Sequence, residues 1–191
     1  MSKKTQQKDI LKNGYVLNDY RIISVLGRGA FGITYKAYDE KNSEIVAIKE
    51  FFYSNFVVRE NNSTVIPISS AKGKQKEYEE FLQKFQDEAE TISKLNHINI
   101  VKVSTFFRAN NTAYFVMSYD EGETLGHRFE KIEKFENEED ILEIIIPVLE
   151  GLKVVHQEGF LHRDLKPDNI YLRDGGLPML LDFGAARFAI G

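Results

Sequence analysis

Apolar and polar positions alternate through much of the first half of the chain and give way to helical spacing in the second. Tyr20 to Leu26 reads as a strand that runs into a glycine-rich stretch. Ile33 to Asp39 is β-branched and aromatic, Asp39 to Ser43 is turn-like, and Ile45 to Phe51 is a further strand. Thr112 to Tyr119 pairs as a hairpin with the run after Leu95–Val101, across an Asn110-Asn111 turn. Between Tyr78 and Leu95 the period changes: Phe81, Phe85, Ile92 and Leu95 fall on one stripe, with Tyr78 and Leu82 beside it, which predicts a helix. A second helix is predicted after Asn137-Glu138-Glu139-Asp140, where a capping residue and acids precede a broad stripe from Ile141 to Val155. That stripe is wide enough to predict burial over much of the helix, and Pro147 inside it should bend it or open one backbone hydrogen bond. Residues 52–76 lack periodicity and read as a long irregular loop inserted into the domain.

Two charged residues interrupt the apolar patterning. Alternation puts Lys49 on a face with Ile45, Ala47 and Phe51, and helical spacing puts Glu88 inside the apolar stripe. A lone strand lysine can snorkel to water, and a glutamate can sit at the wet edge of a stripe. A buried carboxylate nevertheless needs a cation, and Lys49 is the candidate partner for Glu88. The inserted loop reads first as a tolerated surface loop; its aromatic start (Phe51, Phe52, Tyr53 and Phe56, next to Arg59) supports a second reading, that its first part packs on the helix and tunes its position. His97 and His156 read as satisfied structural histidines.

Composition narrows the function classes. With 42% hydrophobic and 28% charged residues, the 191-residue chain can bury a core as one domain or two small lobes. A net charge of -4 disfavours a broad nucleic-acid surface, so no nucleic acid is expected as a partner. The absence of cysteine excludes disulfides and thiolate metal sites and suits a reducing cytoplasm. The polar start and the Glu143 and Pro147 interruptions in the most hydrophobic run give no secretion signal and no membrane segment, and a cytoplasmic location is expected.

The chemistry concentrates in His162-Arg163-Asp164-Leu165-Lys166-Pro167-Asp168-Asn169 and Asp182-Phe183-Gly184. A carboxylate, a cation two residues on, a carboxamide five residues on and a second carboxylate downstream can deprotonate a hydroxyl and hold Mg²⁺ against phosphate oxygens. Upstream, Leu26-Gly27-Arg28-Gly29-Ala30-Phe31-Gly32 carries G-x-G-x-x-G. A dinucleotide-binding turn would open a helix; here a strand follows, so the pattern is a hairpin with a phosphate-approaching tip. In that order and spacing, from about Asp19 onward, these motifs resemble the serine/threonine protein kinases of the bacterial eukaryotic-like kind.

The resemblance implies an α+β, bilobal, protein-kinase-like fold: a β-rich N-lobe with one long helix and an incomplete, mainly helical C-lobe. The expected divisions are a polar segment at 1–18, the N-lobe at 19–121 with its insertion at about 52–76, and a partial C-lobe at 122–191. It implies ATP and Mg²⁺ as cofactors and a protein substrate bearing a serine or threonine hydroxyl. Asp164 would orient the hydroxyl and accept its proton, Lys166 would neutralise the transferred phosphoryl group, and Lys49 paired with Glu88 would contact phosphates, while Asn169 and Asp182 would hold the metal. Nucleotide would also meet the turn Leu26–Gly32, Thr34, Ala47, Met117, the Ser118-Tyr119-Asp120 backbone and Tyr171. Thr34 replaces a common valine, and Tyr171 replaces a common leucine. By the same resemblance Ile92, Val103, His162 and Phe183 would form an apolar column between lobes.

Because the sequence ends at Gly191, seven residues past Gly184, the kinase expectation is of a catalytic domain cut early in its activation segment. The alternative is a non-catalytic nucleotide-binding or interaction module. Self-association and downstream domains stay open.

Overall fold

The computed structural model describes residues 9–29, 32–60, 63–68, 72–132, 135, 137–183 and 187–188. The chain divides into two compact units, Met1–Ala89 with Val103–Tyr119 and Glu90–Lys102 with Asp120–Gly191. The fold is α+β.

The first unit is built on an antiparallel six-stranded sheet. Its strands are β1 (Val16–Leu17), β2 (Tyr20–Arg28), β3 (Gly32–Asp39), β4 (Glu44–Phe51), β7 (Val103–Ala109) and β8 (Thr112–Ser118), in the order β1-β2-β3-β4-β8-β7. The turns follow local chemistry. Asp39 accepts the backbone N–H groups of Lys41 and Asn42 at 2.9 and 3.0 Å, closing the β3–β4 turn. Asn110 and Asn111 adopt left-handed backbone between β7 and β8, which asparagine tolerates better than most residues. Pairing between β2 and β3 shifts register at Ile22/Ser24 and again at Val25/Gly27, irregularities that increase strand twist just before the glycine-rich turn.

Helix α1 (Lys72–Lys94) covers one face of this sheet. It begins earlier than the predicted Tyr78, because its first turn is polar and carries no apolar period. Phe85 lies 4.9 Å from the Phe115 ring and 5.6 Å from Phe51, so the predicted stripe is the packed one. Tyr78 is buried; its hydroxyl donates to the Asn111 carbonyl at 3.0 Å, and burial pushes its pKa up to about 12.

The region predicted as irregular loop holds a two-stranded ribbon, β5 (Val57–Arg59) with β6 (Val65–Pro67). Its aromatic approach does pack on the helix: Tyr53 and Phe56 stack at 4.8 Å and meet Phe81 edge-on at 5.4 and 5.5 Å. Ordered structure also starts before Asp19. Leu11 is buried, and β1 adds a strand to the sheet.

In the second unit, β9 (Gly122–Thr124), β11 (Ile170–Arg173) and β12 (Pro178–Leu180) form a small sheet in the order β12-β11-β9, and β10 (Phe160–Leu161) pairs with β13 (Arg187–Phe188). Thr124 caps α2 (Leu125–Lys131) by accepting the His127 N–H, and Asn137 caps α3 (Glu138–Gln157) by accepting that of Asp140. The start of α3 is where the cap and the acids predicted it.

The breadth of burial predicted for α3 is not found. Ile144, Val148, Gly151 and Val155 are buried, whereas Ile141, Leu142, Ile145, Ile146 and Leu149 are exposed. Periodicity identified the apolar residues, but the described neighbours cover only one narrow stripe of them. That stripe fits closely: a Cβ on Gly151 would come 3.1 Å from the Asn99 carbonyl and 3.2 Å from Leu180. His156 is exposed on the last turn of α3, while His97 accepts the Asn99 N–H at 3.2 Å.

Candidate active site

Each unit brings together part of the set expected from the sequence. In the first, Lys49 Nζ donates to Glu88 Oε1 at 2.8 Å and lies 5.4 Å from the centre of the Phe115 ring. The lysine side chain is 16% exposed and the glutamate 6%, so the pair is largely withdrawn from water. Pairing of Thr34 with Lys49 and of Ala47 with Met117 sets these residues in adjacent strands. Tyr119 accepts a hydrogen bond from Lys36 Nζ at 3.0 Å.

The glycine-rich turn divides by function. A Cβ on Gly27 or Gly29 would meet no atom of the described residues within 4 Å, so among those residues nothing crowds the backbone there. At Gly32 a Cβ would lie 2.5 Å from the Glu50 carbonyl oxygen. The third glycine is thus required by the approach of β3 to β4, a role that the motif alone does not reveal. Gly29 N–H donates to the Gly32 carbonyl at 2.9 Å and closes the turn. Ala30, Phe31 and Gly184 lie outside the described residues.

In the second unit the loop after β10 gathers Asp164, Lys166 and Asn169. Asp164 Oδ2 accepts from Lys166 Nζ at 2.8 Å and from Asn169 Nδ2 at 2.9 Å, and Asn169 Nδ2 also donates to the Asp164 carbonyl at 2.8 Å. The 3-10 turn Pro167–Asn169 carries Asn169 into burial at the head of β11. Pairing of Ile170 with Leu180, continued by the Leu181 N–H donating to the Asn169 carbonyl at 2.9 Å, brings the segment bearing Asp182 alongside Asn169. Gly126 on α2 backs this loop closely: a Cβ there would fall 2.1 Å from Asp168 Oδ1.

His162 ties the segments together. Buried, it is held neutral because burial lowers its pKa, more than the Leu181 carbonyl and the nearby carboxylates raise it. Nε2 lies 3.0 Å from the Leu181 carbonyl and must donate to it, which leaves Nδ1 to accept the Asp164 N–H at 3.4 Å. Its ring meets Phe183 at 4.6 Å, joining two members of the expected column; Ile92 and Val103 are each buried. Arg163 and Asp182 have φ of +64° and +53°, conformations that cost non-glycine residues of order 1 kcal/mol or more and that concentrate at functional loops.

The Lys166 hydrogen bond holds the Asp164 carboxyl below the usual carboxylate range, against a burial contribution that raises it and with help from Asn169. Asp164 in turn raises Lys166. The pair is half in solvent, at 40% and 48% exposure, so it organises charge more than it stabilises the fold. Tyr171 extends from β11 to donate to the Asp120 carbonyl at 3.1 Å, so that carbonyl already has one partner.

Among the described residues no group of three or more His, Asp or Glu side chains could hold a metal alone. Mg²⁺ characteristically takes one or two protein oxygens plus phosphate and water, and the donor set suits that habit. Asn169 commits its amide nitrogen to Asp164 and presents Oδ1, with the carboxylate of Asp182 on the adjoining segment.

One buried cluster escaped the sequence reading. The Glu50 side chain is fully enclosed and accepts from Tyr35 at 2.9 Å and from Tyr114 and Arg59 at 2.5 Å each. Burial and then the Glu50 charge raise both tyrosines, and Arg59 is raised because Glu50 outweighs the burial that would lower it. The signal was Glu50 itself, a second charge beside Lys49 on the opposite face of β4, which it shares with buried Ile48.

The protein kinase domain family matches residues 20–190. The chain belongs to that family. It is 34% identical over 185 residues to serine/threonine-protein kinase D of Synechocystis sp., covering 94% of this chain and 32% of that protein. It is 33% identical to the probable serine/threonine-protein kinase PknB of Lactococcus lactis, covering 88% and 24%. Among solved structures the PpkA-294 apo form superposes with a TM-score of 0.87 at 31% identity, covering 92% of this chain and 62% of that one. The chain therefore spans about a third or less of these curated relatives' length. Among the described residues no helix is long and apolar enough to cross a membrane.

Proposed function

We propose that this chain carries the nucleotide-holding and catalytic-loop parts of an ATP-dependent serine/threonine protein kinase acting in the cytoplasm on a protein hydroxyl. The observation that carries the reading is the Asp164–Lys166–Asn169 cluster on a loop with left-handed backbone at Arg163. Solvent charges gain little from such convergence, whereas phosphoryl transfer depends on it.

Bound Mg-ATP would supply the phosphoryl group and neutralise its charge. Lys49, fixed by Glu88, offers an ammonium to phosphate oxygens, and the open backbone at Gly27 and Gly29 lets the turn approach them. Thr34, Ala47, Met117, the 118–120 backbone and Tyr171 are assigned to the base and sugar side. Asn169 and Asp182 are assigned to the cation. Asp164 orients the incoming hydroxyl; its lowered pKa keeps it ionised, and its basicity rises when Lys166 turns from it toward phosphate. A lysine two residues after the aspartate is the serine/threonine pattern.

The test is transfer of radiolabelled phosphate from ATP to a generic basic protein and to the chain itself. Asp164→Asn is expected to lower transfer by at least about a thousand-fold while Mg-nucleotide still binds. Undiminished transfer removes Asp164 from its role, and wild-type protein that binds nucleotide without transferring phosphate favours a binding module.

A further inference from the structure

Lys49 and Glu50 are neighbours on β4 that point to opposite faces. Lys49 serves the phosphate-holding pair, whereas Glu50 anchors something else. Its partner Arg59 comes from the β5–β6 ribbon, and that guanidinium has more than one task. Besides Glu50, Arg59 donates through Nε to the Asp9 carbonyl at 2.7 Å and through NH1 to the Ser63 carbonyl at 2.8 Å, with its side chain only 3% exposed. Asp9 is thereby fixed by its backbone, and its carboxylate Oδ2 accepts from Arg28 Nη2 at 3.1 Å. Arg28 is the residue between the first two glycines of the turn. Phe52 lies between the two guanidiniums, 5.6 Å from Arg28 and 5.2 Å from Arg59.

These contacts run without a gap from a buried carboxylate, through the ribbon and the N-terminal segment, to the end of β2. We infer that this strap, with Asp9 as its positioning residue, holds the strand entering the glycine-rich turn, so that the turn's mobility and the affinity for Mg-nucleotide depend on both segments. The arrangement suits such a role because Gly27 and Gly29 have no side chains to brace them, and among the described residues nothing lies within 4 Å of a Cβ placed there. β2 is also irregularly paired at Val25/Gly27, just before Arg28. Bracing must come from the one side chain in that stretch with reach. The Arg28 and Asp9 side chains are 23% and 16% exposed, shielded enough for the pair to persist in salt.

The affinity part of the inference rests on the kinase reading; the mobility part does not. The full chain and its Asp9→Asn and Asp9→Glu variants are compared by amide hydrogen exchange over residues 25–29 and by fluorescence titration with methylanthraniloyl-ATP plus Mg²⁺. Asp9→Asn keeps the shape and removes the charge, so it is expected to fold, to speed exchange at 25–29 about tenfold and to weaken nucleotide binding about fivefold. Asp9→Glu should recover most of both. Exchange in Asp9→Asn within twofold of wild type overturns the strap, whatever the nucleotide does. Faster exchange with unchanged affinity overturns its link to the ligand. If wild-type protein binds no nucleotide, the kinase reading fails while the exchange result still decides the strap.

Discussion

In the first unit Glu50 and Arg59 are sealed from solvent among Tyr35, Tyr114 and Phe52, whereas in the second Asp164 and Lys166 pair in contact with water. The left-handed residues differ likewise. Those of the first unit, among them Ser43, Asn110 and Asn111, sit at turns; in the second, Arg163 directly precedes Asp164 and Asp182 lies two residues after β12. The helices repeat the contrast, since α1 presents its apolar stripe to aromatic partners while five large apolar residues of α3 are exposed. The first unit secures its charged groups by burial and thus makes them matter to folding. The second secures them by hydrogen bonds and strained backbone in contact with water, where they contribute little to stability.

This contrast can be broken most directly at Arg59. Arg59→Met leaves Glu50 buried beside two phenol donors without its cation, and a loss of about 3–5 kcal/mol is expected in chemical denaturation. Adding Glu50→Gln removes the stranded charge and should restore part of that loss. A result near zero for Arg59→Met would mean that the cluster is not sealed as described.

The helices give the next comparison. Phe85→Ala should cost about 3 kcal/mol or more, because two aromatic partners lose contact. Ile146→Ala, at a position 54% exposed, should stay within about 0.5 kcal/mol. Equal losses would show that the outer stripe of α3 is covered in solution.

The smallest effect sharpens the chemical side. Since the Lys166 hydrogen bond is the main cause of the lowered Asp164 pKa, Lys166→Met must raise it. In the wild type the ionised form persists to lower pH, so the acid limb of the phosphate-transfer rate profile should lie at higher pH in the variant. No shift, or one to lower pH, would contradict the pairing.

The chemical groups were legible because they lie close together in sequence, and local spacing fixes much of their geometry. Lys49 and Glu88 could be matched although 39 residues apart, since each is a charge where the period demands an apolar residue. Glu50 obeyed the same logic and was passed over. Its partners Arg59, Tyr35 and Tyr114 come from three other strands, and no pattern pairs them. The ribbon had its own signal, Val57-Val58 and Val65-Ile66 around Asn61-Asn62-Ser63, obscured by polar neighbours. Overreading of α3 has a different origin: a hydrophobic stripe states what a helix can bury, and only the surrounding chain determines how much is buried.

Gly32 illustrates how a signature can mix two purposes. Alanine at Gly27 or Gly29 would add a methyl that meets no atom of the described residues; at Gly32 it would wedge against the Glu50 carbonyl of β4. Tolerance of the final glycine is therefore a question about the spacing of two strands, and a variant there would displace the strand that carries Lys49.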